Sequence, residues 1–375
     1  MPRPVDAPLL SLALAASAVA PDAPIATGLN FAAWDCLALA GHPAMARAVG
    51  DLAVVPDLAA RVAGFLQMPH AAVFASGTEA IRAALRHLLR PEDHVIVDHG
   101  AHSALFETVV ACRATLHRAP PGSVEAVERR LHRLTSTARR GRIIVAVPAV
   151  SATTSVVADL PTLADLCQTY GAVLLVDVSH DIGAMGQDGR GVMEVQGCTD
   201  RADIVLGSFA ATFGAAGGFV AVRDDDLWSA MTPDPQAVTQ DIGGAARVIL
   251  AAFEIIDSAQ GRTRRRRLHA NSLRLRNHLM ADGLRVIGQP SALVPVLLPM
   301  LTALARTALL ESAGAKVRLL RAPDVALHAP RWRVQICADH SAADIDDLAD
   351  LIRDVARVFD RQSSRADRRE RVSHG

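Results

Sequence analysis

Three polar side chains that can bind a ligand or move a proton follow two apolar stretches of the sequence. Asp177 and His180 come after the run Val173–Val176, and Ser208 comes after Ile204–Leu206. Continuous apolar runs bounded by turn residues are typical of strands in a parallel sheet that is covered on both faces. Ligands collect at the carboxyl ends of such strands. The sequence therefore predicts that Asp177, His180 and Ser208 point into one cleft.

A second polar turn, Ser76-Gly77-Thr78, separates a short apolar strand from a helix with apolar residues at helical spacing. The first N–H groups of a helix lack partners within the helix, and the helix dipole favours an anion there. The turn is therefore a candidate phosphate cradle, although an ordinary helix N-cap can have the same residues. His102 stands at the next predicted helix start, where a histidine is most often a capping or surface residue.

Together these motifs resemble those of the α-oxoamine synthases. The shared motifs are D-x-x-H at 177–180, GQDGRG at 186–191 and GSFAATFGAAGGFVA at 207–221. That family consists of fold-type I pyridoxal phosphate (PLP) enzymes, which join an amino acid to an acyl thioester and release CO₂. The resemblance implies an α/β fold, with a mostly parallel central sheet in a large domain and a smaller C-terminal α/β domain.

The resemblance also implies a set of cofactor contacts. Seven residues take the positions of the family's PLP-binding residues: Ser76, Gly77, Thr78, His102, Asp177, His180 and Ser208. His102 would stack on the pyridine ring, and His180 would contact its phenolic oxygen. Asp177 would bind the pyridine nitrogen and keep it protonated, which lets PLP accept electrons from the substrate.

Two further residues take substrate-binding positions by the same resemblance. Arg333, in the stretch RWRVQICADHS, corresponds to the arginine that pairs with the carboxylate of the amino acid. A planar, two-pronged contact of this kind is one that arginine makes well. Asn30 matches the segment GLNFAAWDCLAL near the start of the family's sequence.

The lysine that holds PLP as a Schiff base in this family falls on Ala211, and the chain's only lysine is Lys316 in the smaller predicted domain. PLP bound to this sequence would therefore be non-covalent. Ala211, His102 and His180 are the candidate catalytic positions, and the two histidines would have to handle protons.

Three interpretations of Ala211 remain open. The chain is an inactivated variant of a lysine-containing synthase, a scaffold or regulatory subunit paired with an active homologue, or an enzyme with lysine-independent chemistry. Two other departures from the family favour the scaffold: the loop expected after Gly50 is missing, and the turn at Ser151–Ser155 has altered polar residues. In place of that loop, the pattern predicts one helix from Met45 to Leu66.

The 375 residues are enough for two domains. We predict an N-terminal helix or arm at 1–40, a large PLP-binding domain at 41–258, a small domain at 259–360 and a disordered tail at 361–375. The apolar N-terminal stretch shares features with a secretory signal, but its weak positive charge favours a helix that packs on the body.

Composition excludes several functions. The formal net charge is zero, which gives no general attraction to nucleic acid or an anionic membrane, and we interpret the arginine run at 262–267 as a solvated helix face. No apolar run predicts a membrane span. The five widely spaced cysteines predict no metal site and favour a cytoplasmic location.

Because fold-type I sites are usually completed by a second subunit, the resemblance implies a homodimer or a heterodimer with an active homologue.

Overall fold

The computed structural model describes residues 29–50, 57–136, 141–231, 242 and 244–373. Most of the predicted N-terminal arm and the segment directly after Gly50 lie outside these residues. The chain divides into two compact units. The larger contains Trp34–His269 and Cys337–Asp339. The smaller contains the described residues before Trp34, Ala270–Ile336 and the residues from His340 onward.

The described residues form the following strands: β1 Leu29–Asn30, β2 His70–Phe74, β3 His94–Asp98, β4 Thr115–Ala119, β5 Ile143–Pro148, β6 Val173–Asp177, β7 Ile204–Ser208, β8 Gly218–Val222, β9 Leu293–Leu297, β10 Ala315–Lys316, β11 Arg318–Leu320 and β12 Arg331–Gln335. Both apolar runs that predict central strands, in β6 and β7, are strands in the structure.

The helices are α1 Pro43–Gly50, α2 Leu58–Leu66, α3 Gly77–Leu88, α4 Ser103–Ala111, α5 Val124–Thr135, α6 Leu160–Tyr170, α7 Val192–Val195, α8 Asp225–Met231, α9 Gly244–Asp257, α10 Ala259–Ala281, α11 Ala303–Ser312 and α12 Ala342–Ser373. None of these described helices is both long enough and apolar enough to cross a membrane.

A seven-stranded sheet forms the centre of the larger unit, in the order β2-β8-β7-β6-β5-β3-β4. The neighbouring strands from β7 through β4 are parallel, and β8 runs antiparallel to both of its neighbours. All six residues of β5 are buried, as expected for a central strand covered on both faces. The carboxyl ends of β3, β5, β6 and β7 therefore share one edge of the sheet. This is the fold-type I architecture that the resemblance implies.

The single helix predicted from Met45 to Leu66 is wrong, because the structure has two helices there. α1 ends at Gly50, and α2 begins after Asp57, whose carboxylate accepts the N–H groups of Ala59 and Ala60 at 2.9 and 3.3 Å. A carboxylate that satisfies these first N–H groups marks a new helix start. Apolar residues at helical spacing precede and follow Asp57 in the sequence, which conceals this helix start.

In the smaller unit, an antiparallel sheet has the order β11-β12-β9. β1 pairs separately with β10 in parallel. Trp332 of β12 is buried and donates its indole N–H to the Thr307 hydroxyl of α11 at 2.8 Å, which fixes this helix on the sheet. Helical backbone of α12 continues to Ser373, into the segment for which the sequence predicts a disordered tail.

Candidate active site

Asp177 and Ser208 lie at the carboxyl ends of neighbouring parallel strands. In the register of β6 and β7, Asp177 is opposite Leu206, two residues before Ser208, and Val178 donates its N–H to the Leu206 carbonyl at 2.8 Å. Asp177 is 5% exposed and Ser208 is half-buried. The adjacent strand ends thus bring together a carboxylate and a hydroxyl that are far apart in sequence.

The Asp177 carboxylate is held by the turn that follows it. Its Oδ1 atom accepts the Ser179 N–H at 2.9 Å and the Ser179 hydroxyl at 2.6 Å. Burial raises the pKa of Asp177, whereas the Ser179 hydrogen bonds and the charge of His102 act to lower it. Both of these hydrogen bonds end on Oδ1.

The Ser76-Gly77-Thr78 turn begins α3, as the sequence predicts. The Ser76 hydroxyl accepts the Glu79 N–H at 3.2 Å, and the Ser76 carbonyl accepts the Ala80 N–H at 3.0 Å. The N–H groups of Gly77 and Thr78 precede these bonds and sit at the positive end of the helix dipole. Ser76 is therefore an N-cap, and the turn also retains donors for an anion.

The same turn lies against Ser208 and the start of β8. A Cβ atom added to Gly77 would come within 2.8 Å of the Ser208 Cβ atom. One added to Gly218 would come within 2.5 Å of the Gly77 nitrogen and the Ser76 carbonyl group. Glycine at both positions allows the turn, Ser208 and β8 to pack closely, which brings helix N-terminal N–H groups suited to a phosphate beside the Ser208 hydroxyl. In this structure the hydroxyl donates to the Gly217 carbonyl at 3.4 Å.

His102 is the N-cap of α4. Its Nδ1 atom accepts the Ala104 N–H at 3.1 Å, so in the neutral ring the hydrogen is on Nε2. The ring is exposed, and its charge influences the pKa of Asp177. His102 therefore caps α4 and lies close enough to Asp177 to affect its pKa. Its exposed ring is accessible to a ligand.

His180 follows Asp177 in the same turn and stacks on Trp34. Their ring centroids are 5.2 Å apart, with 28° between the planes. Trp34 is 40% exposed. This aromatic contact cannot be predicted from the sequence, because the two residues are far apart in the chain and a single tryptophan has no periodic pattern.

Ala211 occupies a buried and well-connected position. It is 7% exposed, and its carbonyl accepts the Cys36 N–H at 3.0 Å. The next residue, Thr212, is fully buried, and its hydroxyl lies 3.5 Å from the Cys36 thiol. Burial raises the pKa of that thiol to about 12, so Cys36 does not supply an ionised base in place of the lysine.

Two buried carboxylates at the same sheet edge were not identified from the sequence. Asp98, at the end of β3, accepts the N–H groups of Gly100 and Gly122, both at 2.6 Å. It thereby joins the turn leading to His102 to the loop after β4. Its sequence signal, an aspartate that ends an apolar strand, is the same signal that identifies Asp177.

The second, Asp181, is completely buried. Its Oδ2 atom accepts the Val192 N–H at 2.7 Å, and its Oδ1 atom has no hydrogen-bond partner within the described part of the chain. Burial and the nearby charge of Asp177 raise the pKa of Asp181 well above its usual value, against the effect of the Val192 bond. No sequence signal marks it as buried.

The predicted substrate residues Arg333 and Asn30 belong to the smaller unit. Arg333 lies on β12 and is 8% exposed, whereas Asn30 lies on β1 and is exposed. The Asn30 side-chain oxygen accepts the Ala32 N–H at 3.1 Å. Their assignment to a substrate stays a prediction, as do the cofactor roles of the residues in the larger unit.

Comparisons with known proteins agree with this architecture. The model of the aminotransferase class I and II family matches residues 35–352. The chain is 30% identical over 345 residues to 8-amino-7-oxononanoate synthase of Aromatoleum aromaticum, a match covering 86% of this chain and 88% of that protein. It is 29% identical over 291 residues to 2-amino-3-ketobutyrate coenzyme A ligase of Escherichia coli, covering 72% of each.

Among solved structures, a serine palmitoyltransferase from S. paucimobilis with a bound PLP-myriocin aldimine superposes with a TM-score of 0.80. The two chains are 22% identical, and the match covers 88% of each. This likeness shows the shared fold. By the family match and the synthase relatives, the chain belongs to the aminotransferase class I and II family, within its α-oxoamine synthase group of PLP-dependent enzymes.

Proposed function

We propose that this chain binds PLP without a covalent bond and uses it to activate an amino acid for decarboxylative condensation with an acyl thioester. The observation that carries the proposal is the packing of the Ser76-Gly77-Thr78 turn against Ser208, at the sheet edge where Asp177 ends β6. The names of the relatives, an oxononanoate synthase and a ketobutyrate coenzyme A ligase, support this reaction class.

The donor set fits PLP. Gly77 and Thr78 present helix N-terminal N–H groups, and Ser208 presents a hydroxyl beside them, which suits a phosphate dianion. Asp177 would hold the pyridine nitrogen. Proximity of that cation would favour the ionised carboxylate and oppose the burial that raises the Asp177 pKa. When bound, PLP supplies an electron sink for the substrate's α-carbon.

The remaining chemistry depends on this chain's own proton donors and acceptors. Ala211 has no amine, so neither a covalent link nor proton transfer can come from this position. His102 has its hydrogen on Nε2 when neutral, because Nδ1 accepts the Ala104 N–H. Nε2 can therefore donate a hydrogen bond to a ligand. His180, in the turn after Asp177, is the second imidazole that could exchange a proton.

A covalent-trapping experiment tests the proposal. PLP is added to the wild-type protein and to Ala211→Lys, and absorbance is recorded before and after borohydride reduction, followed by peptide mapping. We expect both proteins to bind PLP, and only Ala211→Lys to retain it after reduction at residue 211. Lys316→Arg, made in both backgrounds, is the matched control because it removes the only other lysine side chain.

A turnover assay shows whether the wild-type protein is itself active or only the variant with the restored lysine is. Addition of an amino acid and an acyl thioester should release CO₂ with Ala211→Lys, because the variant restores the missing amine within an intact cradle. CO₂ release by the wild-type protein would support lysine-independent chemistry. If neither protein binds PLP, the proposal is wrong.

The second candidate function is a scaffold or regulatory subunit. The specific observation that favours it is the buried alanine at the lysine position, in a chain whose only lysine belongs to the smaller unit. We would expect such a subunit to form a heterodimer with a lysine-containing homologue and to alter its activity. Sedimentation analysis of the mixed proteins tests this assembly.

A further inference from the structure

The indole ring of Trp34 stacks on the imidazole ring of His180. The ring centroids are 5.2 Å apart, and the planes differ by 28°. Both residues belong to the larger unit, and His180 lies in the turn that follows the predicted PLP contact Asp177. Because Trp34 is 40% exposed, the indole contacts the imidazole without being enclosed by the protein.

The segment that carries Trp34 is anchored at the position of the missing lysine. Cys36 donates its N–H to the Ala211 carbonyl at 3.0 Å, and its thiol lies 3.5 Å from the Thr212 hydroxyl. The Asp35 carboxylate accepts two backbone N–H groups of the same segment at 2.9 and 3.0 Å. These bonds fix the backbone on both sides of the indole's attachment to residue 211.

The turn that carries His180 packs on the same anchor. A Cβ atom added to Gly183 would come within 2.4 Å of the Cγ2 atom of Thr212. Thr212 is fully buried, and it contacts this turn with its methyl group and Cys36 with its hydroxyl. The backbone segments of Trp34 and His180 are therefore held relative to each other around one buried side chain.

A stack of this kind distinguishes the two protonation states of a histidine. The face of an indole carries partial negative charge, and it attracts a cation that lies within about 6 Å of the ring centroid. Protonation turns the imidazole into such a cation, whereas the neutral ring gains only the weaker stacking contact. At 5.2 Å, Trp34 is close enough to favour the protonated form of His180.

Other titratable groups surround His180 and have to be separated from the effect of the indole. They are Asp177 and Asp181 in its own turn, Asp35 and Cys36 beside Trp34, and His102, whose charge acts on Asp177. Burial raises the pKa of each of the first four groups, which favours their neutral forms. An ionised Asp177 would nevertheless favour a protonated His180 as well, so the test has to change the indole alone.

We propose that Trp34 is a positioning residue for His180, whose indole face favours the protonated imidazole and so provides a proton donor in a site without lysine. The role in the reaction rests on the proposed function, whereas the preference for the protonated ring does not require PLP. Protonated His180 carries a hydrogen on both ring nitrogens. It can give one of these protons to a substrate atom and become the neutral imidazole. Trp34 itself acts only through His180.

An NMR titration of the full-length protein without PLP tests the inference. The histidines are labelled with ¹³C at Cε1, and the signal of His180 is the one that is missing from His180→Gln. We expect Trp34→Leu to lower the titration midpoint of His180 by about 0.5 pH units, and Trp34→Phe to restore part of the difference. Trp228→Leu removes the similar stack on His70 and should leave the His180 midpoint unchanged.

Fluorinated tryptophan tests the electrostatic cause with little change in the shape of the ring. Fluorine withdraws electron density from the face of the indole, so incorporation at all three tryptophans should lower the His180 midpoint of the wild-type protein. The same incorporation should leave the midpoint of Trp34→Phe unchanged, because the ring that faces His180 is then not fluorinated. This comparison decides the question even if Trp34→Leu does not fold.

The outcomes distinguish this inference from the proposed function. A His180 midpoint that fluorination leaves unchanged overturns the inference, even if Trp34→Leu shifts it, because the indole would then act by packing alone. If PLP binds and the midpoint is unchanged, the cofactor proposal stands without a role for Trp34. If PLP does not bind, the proposed function fails, and the titration still decides whether Trp34 favours the protonated His180.

Discussion

The indole of Trp34 stacks on the imidazole of His180, with 5.2 Å between the ring centroids. His180 belongs to the turn that begins at Asp177, so this pair places an exposed aromatic side chain beside a predicted PLP contact. The larger unit also contains a similar stack, Trp228 on His70, with centroids 5.1 Å apart. His70 begins β2, at the sheet edge opposite to the carboxyl ends of the parallel strands.

The two stacks allow a matched fluorescence measurement of PLP binding. We expect PLP to quench tryptophan emission mainly through Trp34, because a ring bound near His180 would lie close to this indole. Trp34→Leu should lose most of the quenching, whereas Trp228→Leu should keep it. Equal quenching in both variants would place PLP elsewhere.

Gly77 is the position at which the predicted phosphate cradle is most sensitive to a side chain. In Gly77→Ala, the new Cβ atom would meet the Ser208 Cβ atom at 2.8 Å. We expect the turn and Ser208 to separate and PLP affinity to fall by at least tenfold, as measured by absorbance titration. Overpacking of this kind also costs about 1–3 kcal/mol of stability.

Gly64→Ala is the control for that substitution. Gly64 lies within α2, and a Cβ atom there would meet nothing within 4 Å. Alanine should stabilise the helix by about 0.5–1 kcal/mol, with no change in PLP affinity. A similar loss of PLP affinity in both variants would contradict the proposed cradle.

Asp98 positions the turn that ends at His102. Asp98→Asn leaves one oxygen as an acceptor and places an amide N–H₂ group against a backbone N–H that needs an acceptor. We expect a loss of about 1–3 kcal/mol in the free energy of unfolding and weaker PLP binding as the turn loosens. Urea denaturation and absorbance titration measure the two effects.

Asp159→Ala provides a variant that loses stability without affecting the His102 turn. Asp159 caps α6 through the Thr162 N–H at 3.2 Å, and removal of such a cap costs about 1 kcal/mol. PLP affinity should be unchanged. If Asp98→Asn likewise alters stability alone, Asp98 has no positioning role at the site.

Asp181 should make stability depend on pH. Burial raises its pKa in the folded state, so the folded protein binds this proton more tightly than the unfolded chain does. The resulting stabilisation is fully present below the unfolded pKa of about 3.9 and is lost as pH rises through the folded pKa. Asp181→Asn keeps an oxygen for the Val192 N–H and has no such proton.

The measurement is urea denaturation of the wild-type protein and Asp181→Asn from pH 4 to pH 8. As pH rises, the free energy of unfolding of the wild-type protein should fall relative to that of the variant, until the folded pKa has been passed. The comparison cancels the contribution of Asp98, whereas the titration of Asp177 is coupled to that of Asp181 and forms part of the measured difference. Parallel pH curves for the two proteins would show that Asp181 is not responsible.

The sequence alone identified the main strands and helix starts of the site. The apolar runs before Asp177 and Ser208 form β6 and β7, and Ser76 and His102 cap α3 and α4. These features depend on neighbouring residues in the chain, through apolar periodicity and capping. The absence of lysine at position 211 was also fully determined by the sequence, since folding cannot add an amine to that residue.

Contacts between distant segments were decided only by the tertiary structure. The packing of Gly77 on Ser208, the burial of Asp181 and the Trp34–His180 stack each join residues whose sequence neighbours give no sign of the contact. The sequence placed Arg333 on a strand but could not set Arg318 opposite it. Strand register is fixed by the turn geometry and the burial of a whole sheet face, and a shift of one residue would reverse the face that each side chain occupies.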